Sequence, residues 1–217
     1  VHYSLENPRA YLDANIIGAF NVMEAARRLG VQHLLMASTS SVYGANTEMP
    51  FSEVEKADTQ LTIYAATKKA NESMAHSYAH LWGLPTTMFR FFTVYGPWGR
   101  PDLAYYKFVD AILDGRPIDV YNHGRMRRDF TYVTDVSEAV YMAAASEVSG
   151  EIMNVGSGTT VSINRVVDLL GGSVTRLPER PGEPDQTFAD ISKVKQLLGW
   201  SPKIGIEEGV ALLLERI

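Results

Sequence analysis

The sequence contains no cysteine among its 217 residues, which excludes disulfide bonds, thiol nucleophiles and thiolate metal sites. It also lacks any apolar run near the roughly 20 residues that a membrane-spanning helix needs. The first residues do not show the charged and then apolar pattern of a secretory signal. We therefore expect a cytoplasmic protein with no membrane partner. The chain does not begin with Met, and we expect a segment upstream of Val1 to be missing.

An excess of positive charge is absent as well. Twenty Lys and Arg residues against 25 Asp and Glu residues leave a formal net charge of −5, which is unfavourable for a general binder of nucleic acid. Hydrophobic residues make up 46% of the chain, as in a soluble globular enzyme with a large core. A small phosphorylated ligand at a local basic site remains compatible with this charge.

Helical and strand-like segments alternate along the chain. Hydrophobic periodicity and Gly or Pro stop signals predict helices at 12–29, 64–82, 104–113, 163–170, 191–198 and 206–216. A further helix is expected after 130–133, capped by Thr134 or Asp135. Short apolar runs predict strands at 31–37, 86–92, 118–121, 130–133 and 152–155, with a basic loop at 122–128. This alternation predicts an α/β protein with a parallel sheet.

One signature of nucleotide-binding α/β proteins is absent, namely the Gly-x-Gly-x-x-Gly turn that follows the first strand of such folds. The pair Gly156 and Gly158 comes late in the chain and lacks the third glycine. This pair therefore does not replace the missing turn.

A tyrosine and a lysine, Tyr64 and Lys68, stand four positions apart in a predicted helix and so lie on one face, one turn apart. A Lys ammonium beside a phenol stabilises the phenolate and makes the tyrosine a usable base near neutral pH. An exposed helix that carries an amphipathic Tyr often shows the same pair by chance. Taken alone, the pair favours that simpler interpretation.

Hydroxyl side chains cluster directly after the predicted strand 31–37, at Ser38, Thr39, Ser40 and Ser41. The carboxyl end of a parallel strand is where α/β enzymes place their chemistry. An ordinary transition from strand to turn uses the same residue types to satisfy backbone groups. The hydroxyl cluster and the Tyr64 and Lys68 pair together are much more specific than either motif alone.

Seven motifs run through nearly the whole chain: Asn15, 38–44, Tyr64-x-x-x-Lys68, 90–97, 128–133, 154–156 and 180–183. In this order they resemble the extended short-chain dehydrogenase/reductase superfamily, and within it the NAD-dependent nucleotide-sugar epimerases. The resemblance implies a Rossmann-like doubly wound parallel sheet that binds NAD, at 1–96 and 129–156. It also implies a smaller α/β domain that binds the nucleotide sugar, at 97–128 and 157–217. The absent glycine turn would then belong to first strands that this chain lacks.

The resemblance also implies roles for individual residues. Tyr64 would be the base, Lys68 would orient the nicotinamide ribose, and Thr39 would share the proton path of the sugar 4-hydroxyl. Ser40 and Ser41 would contact the sugar. Asn15 and Ser38 would contact the cofactor. The residues implied at the substrate are Thr93, Arg100, Arg128, Arg180 and Glu183. Of these, Arg128 and Arg180 would bind the diphosphate, and Arg100 would bind a sugar carboxylate.

The implied reaction is NAD-dependent epimerisation of a UDP-sugar at C4 through a 4-keto intermediate. Related 4,6-dehydratases carry Asp-Glu where this chain has Ser40 and Ser41, and related uronate decarboxylases carry Glu at the second position. A serine hydroxyl cannot supply that acid and base chemistry at neutral pH. Simple epimerisation is therefore favoured.

The segment from Arg90 to Arg100 is similar to that of UDP-glucuronate 4-epimerases, which implies conversion of UDP-glucuronate to UDP-galacturonate. The tail after Gly150 is shorter than these enzymes usually show. Other interpretations therefore stay open: a UDP-hexose or UDP-N-acetylhexosamine 4-epimerase, a UDP-uronate decarboxylase, or a non-catalytic fragment that binds a nucleotide sugar.

The sequence predicts no metal site, because His76 and His80 lie one helical turn apart but no third ligand follows from the spacing. The resemblance further implies a homodimer in which the helices 12–29 and 64–82 pair with their copies in a four-helix bundle. Met74, Tyr78 and Leu81 are then expected to face outward and to be covered by the partner.

Overall fold

The computed structural model describes residues 3–178 and 185–215. Its helices are α1 (Tyr3–Glu6), α2 (Pro8–Tyr11), α3 (Ala19–Leu29), α4 (Ile63–Trp82), α5 (Ala104–Leu113), α6 (Val133–Ala144), α7 (Ile163–Leu170), α8 (Ser192–Leu198) and α9 (Ile206–Leu214). Its strands are β1 (Leu34–Thr39), β2 (Thr86–Phe91), β3 (Thr93–Tyr95), β4 (Ile118–Val120), β5 (Arg127–Arg128), β6 (Phe130–Tyr132), β7 (Ile152–Val155), β8 (Val161–Ser162), β9 (Val174–Arg176) and β10 (Gln186–Thr187). The predicted helix 104–113, strand 152–155 and helix 163–170 are confirmed with the expected bounds.

The main sheet is parallel, in the order β1, β2, β7, with Leu34 opposite Thr86 and Phe91 opposite Val155. Both of its faces are covered, as parallel sheets require. Met88 points to a core built with α3 and α4, whereas its neighbour Phe89 points to a core built with α6 and α8. The parallel α/β architecture predicted from the sequence is therefore confirmed.

A further hydrophobic cluster lies beyond this sheet. It is built from α5, α7 and α9 and from β4, which pairs in parallel with β9. Three aromatic residues of β3 and β6, Tyr95, Phe130 and Tyr132, join this cluster and connect it to the main sheet. Helix α8 and Trp200 pack instead on the main sheet. The domain boundaries given above remain a prediction.

Three local expectations are corrected. The single helix expected at 12–29 is a π-helical segment, Leu12–Gly18, followed by α3. The strand expected at 86–92 is interrupted at Phe92, after which β3 pairs with β6 instead of continuing in the main sheet. The basic loop expected at 122–128 contains a 3-10 turn and β5.

The expected cap of α6 at Thr134 or Asp135 is also wrong, because the helix begins at Val133 with Tyr132 in the cap position. Asp135 is buried, and its carboxylate accepts hydrogen bonds from the backbone N–H groups of Lys203 and Ile204 at 3.0 and 2.9 Å. The side chain thus holds the approach to α9 instead of capping its own helix.

The predicted outward faces of the long helices are partly wrong. Tyr78 is buried in the core between α3, α4 and the sheet, and Met74 packs against the same cluster. These two side chains face inward because they cover Met88 of the central strand. Leu81 is exposed as expected, and Ile17 and Phe20 of the first long helical segment are exposed too.

Candidate active site

Helix α4 carries Tyr64 in its first turn and Lys68 one turn later. Thr62 caps the helix by accepting a hydrogen bond from the Ala65 N–H at 3.1 Å, which fixes where the first turn begins. The Lys68 ammonium donates to the carbonyl oxygen of Ala37 on β1 at 3.0 Å. Burial lowers the pKa of Lys68 below its ordinary value. The ring of Tyr64 is half-buried and meets the ring of Tyr11 edge-on, with 5.9 Å between the centroids.

The hydroxyl cluster lies at the carboxyl end of β1, beside α4. Thr39 is buried, and its hydroxyl oxygen accepts a hydrogen bond from the Ser41 N–H at 3.2 Å. This bond begins the 3-10 turn Ser40–Tyr43, in which Ser40 and Ser41 are half-buried. Helix α4 packs against both β1 and this turn. The fold therefore brings the two sequence motifs to the same edge of the sheet.

Asn15 and Ser38 both bond to α4. The amide of Asn15 donates to the Thr67 hydroxyl at 2.9 Å. Ser38 is buried, and its hydroxyl donates to the carboxylate of Glu72 at 2.6 Å. Both side chains thus hold the helix that carries Tyr64 and Lys68.

A buried ion pair that the sequence reasoning missed lies under this site. Glu72 of α4 accepts two hydrogen bonds from Arg90 of β2, at 2.9 and 2.8 Å, and both side chains are buried. Burial by itself raises the pKa of Glu72, but the hydrogen bonds from Arg90 and Ser38 together hold it below its ordinary value. The guanidinium of Arg90 also stacks on the ring of Tyr43, 4.7 Å from its centroid. Helical spacing from Lys68 to the next turn could have identified Glu72.

Arg100, which the sequence analysis assigns to a sugar carboxylate, follows the turn that begins after β3. Gly96 has a φ of +130°, and a Cβ there would lie 2.7 Å from Val133 Cγ1, so only glycine fits. Arg100 is exposed, and its Nε donates to an Asp102 carboxylate oxygen at 3.0 Å. The Asp102 hydrogen bond raises the pKa of Arg100, and the nearby phenols of Tyr64 and Tyr11 add a smaller electrostatic contribution. The segment after β3 therefore presents an exposed cation whose partner is Asp102.

An open cavity of about 400 Å³ is lined in part by this turn. It does not include Tyr64. Its lining residues are Gly96, Pro97, Trp98, Gly99, Tyr105, Tyr106, Val109, Asp110, Leu113 and Leu213. The chemistry is assigned to the sheet edge because the ionisable groups gather there.

The other residues predicted to bind the substrate, as far as the structure describes them, lie around β3 and β5. Thr93 is half-buried, and its N–H donates to the carbonyl oxygen of Asp129 at 3.0 Å. Arg128 donates to the carbonyl oxygen of Arg127 at 2.9 Å. Arg180 and Glu183 lie outside the described residues.

Asp129, which the sequence reasoning did not single out, ties these segments together. Its buried carboxylate accepts the backbone N–H groups of Ser157, Gly158 and Ala189 at 2.6 to 3.1 Å. Burial raises the pKa of Asp129, and these backbone hydrogen bonds oppose the rise. The carboxylate thereby fixes the loop after β7 and the residues after β10 next to Arg128.

The sequence profile of the NAD dependent epimerase/dehydratase family matches residues 1–156. The chain belongs to this family. Among its relatives, a probable UDP-glucuronate 4-epimerase of Rhizobium meliloti is 47% identical over 240 aligned positions, covering 99% of this chain and 70% of the relative. A UDP-glucuronate 4-epimerase of Thermodesulfobacterium geofontis is 42% identical over 217 positions, covering 97% of this chain and 67% of the relative.

A solved structure agrees with these relatives. The UDP-glucuronic acid 4-epimerase of Bacillus cereus, in complex with UDP-glucuronic acid and NAD, superposes with a TM-score of 0.89. The two proteins are 31% identical, and the match covers 95% of this chain and 68% of the other. The predicted Rossmann-like fold and the predicted membership of an NAD-dependent epimerase family are both confirmed.

The hydrogen-bond donors at the carboxyl edge of the sheet fit the nicotinamide ribose of NAD, the cofactor on which this family depends. A partly buried ammonium, Lys68, and a phenol, Tyr64, lie together where a parallel strand ends, and such donors suit the hydroxyls of a ribose. Thr39 supplies a further hydroxyl beside them. The pyrophosphate-binding glycine turn has no counterpart in this sequence, so the fit concerns the nicotinamide ribose alone.

Within 3–178 and 185–215, no group of three or more potential metal ligands comes together. In the same residues, none of the helices combines the length and the apolar character needed to cross a bilayer.

Proposed function

We propose that the protein is an NAD-dependent UDP-glucuronate 4-epimerase, which converts UDP-glucuronate to UDP-galacturonate through a 4-keto intermediate. The observation that carries the proposal is the likeness of this chain to UDP-glucuronate 4-epimerases in both sequence and structure. Arg100, an exposed arginine in the segment after β3, would supply the cation for the sugar carboxylate. A neutral UDP-hexose has no carboxylate for that cation to bind.

The residues of the chain suit the proton transfers that this reaction needs. Tyr64 takes the proton of the sugar 4-hydroxyl, and the nearby ammonium of Lys68 stabilises the negative charge that forms on the phenol oxygen. Thr39 lies beside them and relays or hydrogen-bonds this proton. Bound NAD accepts the C4 hydride and returns it to the opposite face of the sugar. Tyr64 then gives its proton back to the new 4-hydroxyl.

The carboxylate of Asp102 forms an ion pair with the guanidinium of Arg100, the group that would bind the sugar carboxylate. The two side chains are both exposed, so their ion pair is screened by solvent and contributes little. A substrate carboxylate can therefore compete for the same guanidinium without a large cost.

The short tail does not argue against a uronate substrate. The Thermodesulfobacterium geofontis relative named UDP-glucuronate 4-epimerase aligns over 217 positions while covering 97% of this chain. Such an alignment leaves little room for gaps. A tail of this length is thus compatible with that activity.

The test is a product assay on the complete gene product. We expect incubation with UDP-glucuronate to yield UDP-galacturonate, resolved by chromatography, with no net NADH at 340 nm. UDP-glucose and UDP-N-acetylglucosamine serve as parallel substrates. Absence of any isomer after prolonged incubation with UDP-glucuronate would contradict the substrate assignment, and a UDP-pentose product would indicate decarboxylation.

The proposal includes the remaining assignments of the sequence analysis. Arg128, Arg180, Thr93 and Glu183 would bind the nucleotide sugar, with the domain boundaries as predicted. The cytoplasm is the proposed compartment, because the reaction depends on NAD and on a nucleotide sugar.

We also propose a homodimer formed by the helical segment 12–29, which includes α3, and by α4. Ile17, Phe20 and Leu81 are exposed by 54%, 44% and 64%, and exposed apolar side chains on neighbouring helices are typical of an interface. The expected result is a molar mass of twice the monomer in light scattering at micromolar concentration. Phe20→Glu should shift the mass toward the monomer, whereas a wild-type monomer at that concentration would contradict the dimer.

A further inference from the structure

Helix α4 is fastened to β1 by two polar contacts one helical turn apart. The first joins Lys68 Nζ to the Ala37 carbonyl oxygen at 3.0 Å, and the second joins the Glu72 carboxylate to the Ser38 hydroxyl at 2.6 Å. Thr39 is the next residue of β1. The contacts therefore relate the position of the helix along the strand to the position of Thr39.

The second contact differs from the first because its carboxylate is also held by Arg90. Lys68 is the residue that would bind the cofactor ribose, so its bond to Ala37 competes with that role. The side chains of Glu72 and Arg90 are each only 2% exposed to solvent. No ligand at the sheet edge can reach this pair and compete for it.

We propose that Glu72 and Arg90 are positioning residues for Tyr64: their ion pair fixes how far α4 lies along β1, and thereby the distance from the Tyr64 phenol to Lys68, Thr39 and the sugar hydroxyl. The proposal rests on the proposed function, because it assigns a task to that same base. It concerns residues that touch neither sugar nor cofactor.

The geometry explains why an ion pair serves this purpose better than an apolar contact. Two parallel N–H to oxygen bonds between a guanidinium and a carboxylate fix both distance and orientation. Arg90 lies on β2, and its partners are Glu72 on α4 and the ring of Tyr43, which follows Ser41 in the 3-10 turn. One guanidinium thus relates the helix, the neighbouring strand and the turn that contains the sugar-contacting serines.

Apolar packing between α4 and the sheet lacks this directionality. The core beneath the helix includes Ala75, Met23 and Met88, and the unbranched Met side chains adapt to their surroundings without imposing a bond direction. A misplacement of about 1 Å at a reacting group can cost about 10²-fold in rate. Removing the ion pair should therefore harm the chemistry more than the binding of the nucleotide sugar.

The experiment compares Glu72→Gln with a matched control in the complete gene product. Lys69 contacts the same carboxylate at 3.1 Å but is the solvent-facing partner, with 26% exposure, so Lys69→Met removes a cation while leaving Ser38 and Arg90 in place. For Glu72→Gln we expect kcat to fall on the order of 10²-fold, with the Kd for the UDP-sugar changed less than about twofold by calorimetry. Lys69→Met should match the wild type in both quantities.

A second variant separates positioning from stability. Glu72→Gln leaves Arg90 buried without a counter-charge, which destabilises a fold, whereas Glu72→Gln with Arg90→Met removes both charges. We expect the double variant to recover most of the lost Tm and to keep the low kcat. Recovery of kcat together with Tm would overturn the proposal and make the pair merely structural.

A third readout does not depend on turnover. Hydrogen exchange of the amides in the first two turns of α4, measured by mass spectrometry, should accelerate in the double variant at unchanged global stability. Unchanged exchange together with wild-type kcat would overturn the proposal.

If Tyr64→Phe is inactive while Glu72→Gln and the double variant retain full kcat, the positioning proposal fails and the proposed function stands. If the wild type turns over no UDP-sugar, the proposed function fails, and the exchange comparison then decides the positioning proposal alone.

Discussion

Replacing Tyr64 by Phe should lower kcat by a factor on the order of 10² or more while changing the affinity for the nucleotide sugar little. Phe keeps the ring that packs edge-on against Tyr11, so the half-buried surface remains filled. The substitution removes only the hydroxyl that would accept the proton from the sugar. Steady-state kinetics with UDP-glucuronate, together with calorimetric titration of the nucleotide sugar, check both parts.

Two controls sharpen this prediction. Tyr141→Phe makes the same chemical change on an exposed tyrosine of α6 and should leave kcat unchanged. Thr39→Val should give a smaller loss than Tyr64→Phe, since it removes a hydrogen-bonding partner and not the base. Near-normal turnover of Tyr64→Phe would show that another group takes the proton.

The outline of the fold could be predicted because its signals are local. The alternation of apolar runs and amphipathic segments predicts the parallel sheet, and glycine stop signals predict the ends of α3 and α4, where Gly30 and Gly83 adopt left-handed φ values of 61° and 64°. The sheet edge was predictable for the same reason, since hydroxyl residues directly follow the run that becomes β1.

Other features could not be predicted, because they depend on contacts between residues distant in sequence. Asp135 looks like a helix cap locally, yet the backbone near Lys203 uses its carboxylate. Tyr78 looks outward-facing on a helical wheel, yet its hydroxyl donates to Glu24 on α3 at 2.9 Å and its ring fills the core. Tertiary packing decides such cases.

Buried charges form a third class. Arg90 belongs to a recognised motif and Glu72 follows Lys68 by one turn, so each was visible separately. Their pairing was not visible, because the sequence does not state which face of α4 meets which residue of β2. Pairing of β1 with β2 sets Ser38 opposite Arg90, and only then does one carboxylate meet both.

Replacing Arg100 by Met should weaken transition-state stabilisation for UDP-glucuronate by roughly 2–4 kcal/mol, judged from kcat/KM. Met retains much of the length of the side chain but cannot form the two charge-assisted bonds that a guanidinium offers to a carboxylate. Any residual turnover of neutral UDP-glucose should barely change, because that sugar has no charge at the same position. The ratio of the two kcat/KM values therefore isolates the carboxylate contact.

Arg116→Met is the matched control. Arg116 is an exposed arginine paired with Asp110 and Asp114 at the far end of α5, just as Arg100 is exposed and paired with Asp102 before that helix begins. Its loss should leave both substrates unaffected. An equal loss on both sugars in Arg100→Met would mean that Arg100 supports the turn and not the substrate.

The carboxylate contact has a second consequence for the products of Arg100→Met. Oxidation at C4 turns a uronate into a β-keto acid, which loses CO₂ when its carboxylate rotates to align the breaking bond with the carbonyl. A two-point contact from a guanidinium opposes that rotation, and the fixed φ of Pro97 restricts the backbone of the turn before Arg100. We therefore expect a UDP-pentose by-product from Arg100→Met that is absent from the wild type and from Arg116→Met, detected by mass spectrometry of the nucleotide sugars. Its absence, alongside a selective loss on UDP-glucuronate, would mean that Arg100 binds the carboxylate but does not control its orientation.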